Sequence, residues 1–492
     1  MFSGRGIVEV LATLALLASP SLSKLDQPLS SKHAGSGKSQ LNARRSEFSW
    51  EGVLPQKNLV WQDCYSGLQC ARFIVPLDYS EPQGREAVIA LVRKPALVAA
   101  ESDSYRGSVL FNPGGPGGSG VDFIILAGEM LATVVGPQFD LIGFDPRAEQ
   151  DDGYLRHMNT DQTAQDMLRI VEAYRQQKLQ YWGFSYGSIL GATFAAMFPA
   201  QDKIERLVID GVVDSEDYYA TLWTQNLVDA DKTMEHFFTG CADASQQGCA
   251  FWAPSADEIR QNLSKLYESV RARPVPVRTD TSYGVLDYNL LRVAVFVSLY
   301  FPYDLFPTLA QGLAELSAGD GRRLFELVTL PPYQCSCDAA HLFDTVLDAS
   351  IGIACNDGDD VPGDLQSSQE YFNMMANSSQ WGDIWSHNRL DSGGLNSLRT
   401  TSKDLLTRTR VTRFSWSGTL QTLSLHYQRQ GKCPASSTGP LSSHKIRQGI
   451  ARSALLPFAH KNISETTSLT APCRNLGRFA SLMASLSILR LK

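Results

Sequence analysis

The chain has 492 residues, of which 43% are hydrophobic and 19% are charged, and its formal net charge is −7 at pH 7. This is the composition of a globular protein that can bury a large core, which excludes a fibrous or wholly disordered chain. The negative net charge does not favour nucleic acid as a partner. No internal repeat is evident, and we expect one α/β unit with a substantial insertion.

The first 23 residues predict a secretory signal peptide. Arg5 precedes an apolar run over residues 7–18, interrupted only by Glu9, and small residues follow it. An ordinary N-terminal helix is the alternative. Residues 24–46 are rich in Ser, Lys and Gly and predict a disordered linker. No later segment is long and apolar enough to span a bilayer, so the sequence predicts a secreted protein without a stable membrane span.

Seven of the nine cysteines fall in short-range groups, which supports secretion. The groups are Cys64 with Cys70, Cys241 with Cys249, and Cys335 and Cys337 with Cys355. Disulfides formed in an oxidising compartment explain this spacing. A zinc site is the alternative, but neither the spacing nor nearby histidines support it, and we expect no metal. Three glycosylation sequons begin at Asn262, Asn377 and Asn462.

A glycine-rich loop follows an early apolar strand. The strand covers residues 107–111, and the loop at 112–120 reads Asn-Pro-Gly-Gly-Pro-Gly-Gly-Ser-Gly. Its glycines let backbone amides approach a developing alkoxide closely, as an oxyanion hole requires. A phosphate-binding loop is the alternative, but the Lys-Ser/Thr ending of a P-loop is missing.

A serine-nucleophile turn lies about seventy residues further on. Residues 183–187 read Gly-Phe-Ser-Tyr-Gly, between a predicted strand at 179–182 and a predicted helix at 188–198. Glycines at both ends let the backbone bend, so that the Ser185 hydroxyl projects above the sheet. The amide of Tyr186 then lies at the positive end of the helix.

The remaining pattern predicts a mainly parallel sheet flanked by helices. Strands are expected at 87–93, 139–144 and 204–210, and an amphipathic helix is expected at 161–174. Strands that alternate with helices are typical of the α/β class.

The insertion follows this core. We predict that residues 47–213 form the core and that the aromatic-rich, mostly helical stretch 214–390 forms a cap over the active site. The apolar run at 290–300 is interpreted as part of the core of that cap.

Five blocks within residues 48–390 resemble the secreted tripeptidyl aminopeptidase-like members of the α/β-hydrolase superfamily, which are relatives of the proline iminopeptidases. The blocks are Cys70-Ala71-Arg72 with Val75-Pro76-Leu77-Asp78-Tyr79, the loop 112–120, Phe144-Asp145-Pro146-Arg147, residues 181–187, and Asp210-Gly211-Val212-Val213-Asp214. The resemblance implies an α/β-hydrolase fold and a Ser-Asp-His triad that cleaves peptide bonds near a free amino terminus without a cofactor. On the matching positions, Ser185 is the nucleophile, and the amides of Gly115 and Tyr186 are the oxyanion donors.

The chain departs from the family pattern at two places. After Arg147 the pattern expects Gly-x-Gly and a longer segment, whereas residues 148–152 lead almost directly to the next helix. The family's acid follows a late strand that ends in Asp-Pro, and its base lies in a Gly-His pair some thirty residues on. Neither motif occurs after Leu390, so the triad acid and base are unassigned.

The C-terminal segment 391–492 differs in composition from the rest. It contains fifteen Lys or Arg residues and three acids, a charge of +12 that leaves −19 for the remainder. When permitted codons for residues 414–426 are read one nucleotide earlier, they can encode a strand ending in Asp-Pro, and those for 444–451 can encode Gly-His. We therefore predict a frameshift or a misassigned splice site near Leu390. A basic surface tail that binds acidic partners or membrane is the alternative.

Three functions remain open from the sequence. The first is a secreted serine aminopeptidase, and the second is a hydrolase of a small-molecule ester, lactone or amide on the same fold. The third is a catalytically impaired relative that lacks the triad acid and base. Substitute partners for Ser185 within the chain as written would be Asp210 with one of the later histidines. These histidines are His387, His426, His444 and His460.

Overall fold

A computed structural model describes residues 48–147, 154–198, 202–280, 282–329 and 346–394. Within these ranges, seven strands form one sheet in the order β1-β2-β3-β5-β4-β6-β7. The strands are β1 (Gln62–Cys64), β2 (Leu68–Pro76), β3 (Glu86–Lys94), β4 (Ser108–Asn112), β5 (Asp140–Phe144), β6 (Leu179–Phe184) and β7 (Ile204–Asp210).

The sheet has a parallel part and an antiparallel part. Strands β5, β4, β6 and β7 run parallel, whereas β1, β2 and β3 pair antiparallel and join the rest through β5. This confirms the predicted α/β class with a mainly parallel sheet. Strands β1 and β2 are not among the strands that the sequence predicts.

The central strands are covered on both faces. Every residue of β4, β5 and β6 is buried, which explains why these segments read as short, continuous apolar runs. Within the described residues, β7 is an edge strand of the sheet, and only one of its seven residues is buried.

Three helices follow the parallel strands and pack beside the sheet. They are α1 (Gly120–Val135), α2 (Thr160–Ala173) and α3 (Tyr186–Met197). Ser119 caps α1 by accepting a hydrogen bond from the amide of Asp122. Helix α1 approaches β5 so closely that a Cβ on Gly143 would lie 1.9 Å from the carbonyl oxygen of Gly120. Glycine is therefore required at position 143.

An ion pair fastens the start of the segment after β5 to helix α2. Arg147 and Asp166 have side chains that are 1% and 2% exposed, and two of the guanidinium nitrogens lie 2.7 Å from the two carboxylate oxygens. The same guanidinium donates to the carbonyls of Pro76 and Leu77, and the hydroxyl of Tyr79 donates to Asp166 over 2.8 Å. Two of the sequence blocks thus meet at one buried cluster.

The chain after β7 is mainly helical and includes one antiparallel hairpin, β8 (Val275–Arg278) with β9 (Tyr283–Leu286). The hairpin was not predicted. Eleven helices lie in the described part of this region. They are α4 (Ser215–Tyr219), α5 (Ala230–Asp243), α6 (Ser245–Gly248), α7 (Ala256–Ala272), α8 (Tyr288–Ser298), α9 (Pro302–Ser317), α10 (Arg322–Val328), α11 (Val346–Asp357), α12 (Leu365–Ser378), α13 (Gly382–Trp385) and α14 (His387–Leu390).

Helix α8 confirms the interpretation of the apolar run at 290–300 as core. Leu291, Ala294, Val295 and Val297 are fully buried.

Two of the predicted cysteine groups are disulfides. Cys64 is bonded to Cys70 and Cys241 to Cys249. Cys355 is buried, and its sulfur lies against the hydroxyl of Ser392.

Several predictions concern residues outside the described ranges. They are the signal peptide and linker at 1–46, the departure at 148–152, Cys335 and Cys337, the sequon at Asn462, and nearly all of the segment 391–492. No helix of the described ranges has the length and hydropathy of a membrane span.

Candidate active site

Ser185 lies in a strained turn between β6 and α3. Its φ of +56° and ψ of −122° are a conformation that non-glycine residues rarely adopt, and holding it costs about 1–3 kcal/mol. The amide of Ser185 donates to the carbonyl of Asp210 over 2.9 Å. The carbonyl of Ser185 accepts from the amide and the hydroxyl of Ser188, at 2.8 and 2.6 Å. Three hydrogen bonds thus hold the strained backbone in place.

The two glycines of the turn are required by close approach. A Cβ on Gly183 would lie 2.3 Å from the carbonyl oxygen of Gly187. A Cβ on Gly187 would lie 2.9 Å from the side-chain oxygen of Asn112. Any larger residue at either position would force strand, turn and helix apart, so the spacing of the motif follows from sterics.

The glycine-rich loop lies directly against Ser185. Gly114 has a φ of +103°, and a Cβ there would lie 2.8 Å from Cβ and 3.3 Å from Oγ of Ser185. The side chain of Asn112 accepts a 2.9 Å hydrogen bond from the amide of Gly114, and the carbonyl of Gly114 accepts one of 3.0 Å from Gly118. The loop therefore keeps its shape through its own hydrogen bonds.

Asp145 fixes the far end of the loop. Its Oδ1 accepts hydrogen bonds from the hydroxyl of Ser119 at 2.7 Å and from the amide of Val121 at 3.0 Å. A carboxylate at the N-terminus of α1 is also favoured by the helix dipole. The Asp of the Phe-Asp-Pro-Arg block thus orders the loop beside Ser185.

Two backbone amides at the site make no hydrogen bond to a described residue. They belong to Gly115, in the loop beside Ser185, and to Tyr186, the first residue of α3. The first amides of a helix have no partner within the helix and carry partial positive charge. Both residues lie next to residues that touch or contain Ser185, so either amide can donate to an acceptor that reaches this turn.

Ser185 Oγ makes no hydrogen bond to any residue in the described ranges. Asp210 ends β7, and its carboxylate accepts from the amide of Gly211 over 3.0 Å. His387 Nδ1 lies 2.9 Å from the carbonyl of Ile384, which leaves Nε2 buried and without a partner among the described residues. Burial lowers the pKa of His387, against the opposing effect of Asp391. The structure shows no hydrogen bond from the side chain of Asp210 or His387 to Ser185 Oγ, and the other three candidate histidines lie outside the described ranges.

The structure also shows a buried carboxylate near the turn that sequence analysis missed. Asp357, the last residue of α11, accepts hydrogen bonds from the amide and hydroxyl of Thr160, at 2.7 and 2.6 Å, and from the hydroxyl of Tyr218, at 2.7 Å. Thr160 Oγ1 in turn contacts the hydroxyl of Tyr186. Burial raises the pKa of Asp357 to about 7, although its hydrogen bonds oppose the shift. No sequence motif marks this residue.

Residues 107–294 match a family model described as alpha/beta hydrolase fold. The serine protease Hip1 of Mycobacterium tuberculosis is 28% identical over 344 residues, which cover 59% of this chain and 63% of that protein. The tripeptidyl aminopeptidase of Streptomyces coelicolor is 26% identical over 272 residues, which cover 44% of this chain and 49% of that protein.

Carboxylesterase B of Mycobacterium tuberculosis is 30% identical over 170 residues, which cover 29% of this chain and 31% of that protein. The chain thus matches less than two thirds of the length of each of these relatives. The match to the family model covers the glycine-rich loop, the strained serine turn and all the parallel strands. The chain therefore has the α/β-hydrolase fold and is similar to serine peptidases of the tripeptidyl aminopeptidase type.

Proposed function

We propose that this protein is a serine hydrolase of the peptidase type, with Ser185 as its nucleophile and the amides of Gly115 and Tyr186 as its oxyanion donors. One observation carries the proposal. The serine is held in a strained turn against a glycine loop, and two amides beside it have no partner among the described residues. Strain of this kind persists only where the surrounding structure enforces it, and it concentrates at functional sites.

The chemistry follows from this geometry. Ser185 Oγ bonds to the carbonyl carbon of the substrate while its proton passes to a base, and the carbonyl oxygen becomes an alkoxide facing the two amides. The alkoxide then collapses, the carbon–nitrogen bond breaks, and the leaving amine takes the proton from the base. Water repeats the sequence on the acyl-enzyme and frees Ser185. Each oxyanion donor contributes about 10²–10³ to the rate of such a reaction.

We place the triad acid and base in the C-terminal segment, where the shifted reading restores an Asp-Pro and a Gly-His block. The absence of any hydrogen bond from a described residue to Ser185 Oγ supports this assignment. We likewise propose that residues 47–213 are the core and 214–390 the cap. Acyl transfer of this kind needs no metal or organic cofactor, since the protein supplies nucleophile, base and oxyanion donors itself.

The substrates we propose are peptides, cleaved near a free amino terminus. The relatives named serine protease and tripeptidyl aminopeptidase support this choice. Secretion is part of the proposal and is supported by the signal-like N-terminal sequence and by the two disulfides. A small-molecule ester is the second candidate, because the chain is also similar to a carboxylesterase.

A fluorophosphonate probe tests the nucleophile directly. It reacts with an activated serine hydroxyl by displacement of fluoride, so labelling requires Ser185 and its base. The chain as written and a chain with the shifted C-terminal reading are labelled side by side, each with a Ser185→Ala control. Labelling of either chain that is lost in its control supports the proposal. If neither chain is labelled, the proposal is refuted.

The same two chains identify the source of the base and the class of substrate. Labelling of the shifted chain alone assigns the acid and base to the restored blocks, whereas equal labelling of both chains refutes that assignment. The labelled chain is then offered aminoacyl arylamides and simple aryl esters. Turnover of esters alone would refute the peptidase and favour the esterase.

A further inference from the structure

Helix α11, from the region after the sheet, contacts both halves of the oxyanion site. Near its N-terminus, the hydroxyl of Ser350 donates to the carbonyl of Pro116 in the glycine-rich loop. At its C-terminus, Asp357 accepts from Thr160, whose hydroxyl contacts the side chain of Tyr186. Ser350 and Asp357 are seven residues apart and therefore lie on the same helix face. Both are buried.

The available protons fix the direction of the hydrogen bonds at Asp357. Above pH 7 Asp357 is ionised and its carboxylate only accepts, so Thr160 uses its hydroxyl proton on Asp357. Tyr186 must then donate its own hydroxyl proton to Thr160 Oγ1. Tyr218 donates independently to Asp357. The carboxylate thus orients the hydroxyls of Thr160 and Tyr218 directly and, through Thr160, that of Tyr186, the residue after the proposed nucleophile.

Thr160 makes this contact rigid because it begins helix α2. Its amide is one of the four that a helix leaves without an internal partner, and Asp357 accepts it over 2.7 Å. A carboxylate at that position is also stabilised by the helix dipole. The neighbouring side chain of Asn356 donates to the carbonyl of Met158 over 3.0 Å. The end of α11 is therefore fixed to the segment that enters α2.

We propose that α11 is a brace for the oxyanion hole, in which Ser350 positions the loop that carries Gly115 and Asp357 positions Tyr186. Both are positioning residues, since neither is placed against the reacting atoms. The inference rests on the proposed function for its effect on rate, but its structural part can be tested separately. The expected signature is a loss of transition-state stabilisation with little change in substrate binding, because oxyanion donors act on charge that develops during the reaction.

The kinetic test uses the full chain that the fluorophosphonate probe labels, assayed at pH 8 with an aminoacyl arylamide or, if only esters turn over, an aryl ester. Asp357→Asn introduces an amide donor among three donors and should lower kcat by about 10–100-fold, with KM within about twofold. Asp364→Asn is the matched control, because Asp364 caps the next helix at an exposed position and its Oδ1 accepts from the amide of Ser367. It should leave kcat within about twofold.

Ser350→Ala should lower kcat in the same way, with Ser367→Ala as its exposed control. Tyr186→Phe removes the hydroxyl at the end of the chain of hydrogen bonds but keeps the backbone amide. If Asp357 acts through that hydroxyl, the double variant Tyr186→Phe with Asp357→Asn should show no larger loss of kcat than the more impaired of the two single variants. The proposal would be overturned if the fold-losses of kcat in the two single variants multiplied in the double variant. It would also be overturned if the substitutions changed only KM. A kcat for Asp357→Asn equal to that of its control would likewise overturn it.

Hydrogen–deuterium exchange tests the brace without reference to activity. In Asp357→Asn, amides at 186–190 should exchange faster than in Asp364→Asn, and in Ser350→Ala those at 113–120 should exchange faster than in Ser367→Ala. Unchanged exchange in both pairs refutes the brace even if the enzyme is active. Faster exchange in a chain that no probe labels would support the brace while the proposed function fails, so the two failures are distinguishable.

Discussion

The buried pair of Arg147 and Asp166 allows a sharp prediction about stability. The change is Asp166→Asn, which preserves the shape of the side chain but removes its charge. Arg147 then stays as a cation that is 1% exposed, with its carbonyl partners at Pro76 and Leu77 but without a counter-charge. Removing one member of a buried ion pair costs about 3–5 kcal/mol, because the remaining charge is uncompensated.

The prediction is measured as the free energy of unfolding in urea, followed by tryptophan fluorescence. Asp257→Asn is the control, since Asp257 pairs with Arg260 at the surface with side chains 80% and 41% exposed. Exposed pairs of this kind contribute about 0–1 kcal/mol. We expect a loss of about 3–5 kcal/mol for Asp166→Asn against less than about 1 kcal/mol for the control.

A double variant separates charge from packing. Arg147→Met with Asp166→Leu leaves no buried charge, so it should recover part of the loss. Recovery stays incomplete because the carbonyls of Pro76 and Leu77 lose their donor. Equal losses for Asp166→Asn and Asp257→Asn would refute the claim that burial makes this pair matter. A double variant less stable than Asp166→Asn would refute the assignment of the loss to uncompensated charge.

Three further predictions follow from the same structure. Because the pKa of Asp357 is raised from 3.8 to about 7 in the folded state, its neutral form stabilises the fold at low pH, and that contribution is lost as the pH rises through 7. Between pH 5 and pH 8 the free energy of unfolding, measured by urea titration, should fall by about 3 kcal/mol more in the wild type than in Asp357→Asn. An equal pH dependence of the two proteins would contradict the raised pKa of Asp357. Gly143→Ala should prevent folding, because its Cβ would lie 1.9 Å from the carbonyl oxygen of Gly120. Gly352 lies within α11, and a Cβ there would meet no atom within 4 Å. Gly352→Ala should therefore raise the stability of the fold by about 0.5–1 kcal/mol, measured by thermal unfolding. Gly114→Ala should leave the circular dichroism spectrum unchanged but reduce fluorophosphonate labelling at least tenfold, because its Cβ would lie 2.8 Å from Cβ of Ser185. Unchanged labelling would show that the loop is not part of the site.

The elements around the nucleophile could be predicted because their signals are local. A strand, a tight turn and a helix lie in consecutive residues, and the strand predicted at 204–210 matches Ile204–Asp210 residue for residue. The helix predicted at 188–198 begins two residues earlier, at Tyr186. The sequence also shows where glycines occur in the turn, but it does not show which neighbouring atoms exclude a side chain there. Gly183 and Gly187 were read as bending residues, and the structure adds the contacts that exclude a side chain.

The buried polar clusters could not be predicted, because their partners are far apart in the chain. Asp357 is 197 residues from Thr160, and Arg147 is 71 residues from Pro76. Nothing near Asp357 in the sequence marks an acid that will be buried, since α11 is otherwise an ordinary apolar helix. The same limit applies to β1 and β2, whose antiparallel pairing depends on which edge of the sheet they join.

The resemblance to the aminopeptidase family gains a physical meaning from these clusters. Asp145 orders the loop that holds Gly115, and Arg147 joins the Pro76 block to α2. These motif residues build the framework of the proposed oxyanion hole, and all of them lie before the C-terminal segment. On the proposed assignment, this framework and the proton-transfer groups are encoded in separate parts of the chain. A change confined to residues after Leu390 would then remove the base and leave the proposed oxyanion hole assembled, which would cost on the order of 10⁴ or more in rate without abolishing the geometry around Ser185.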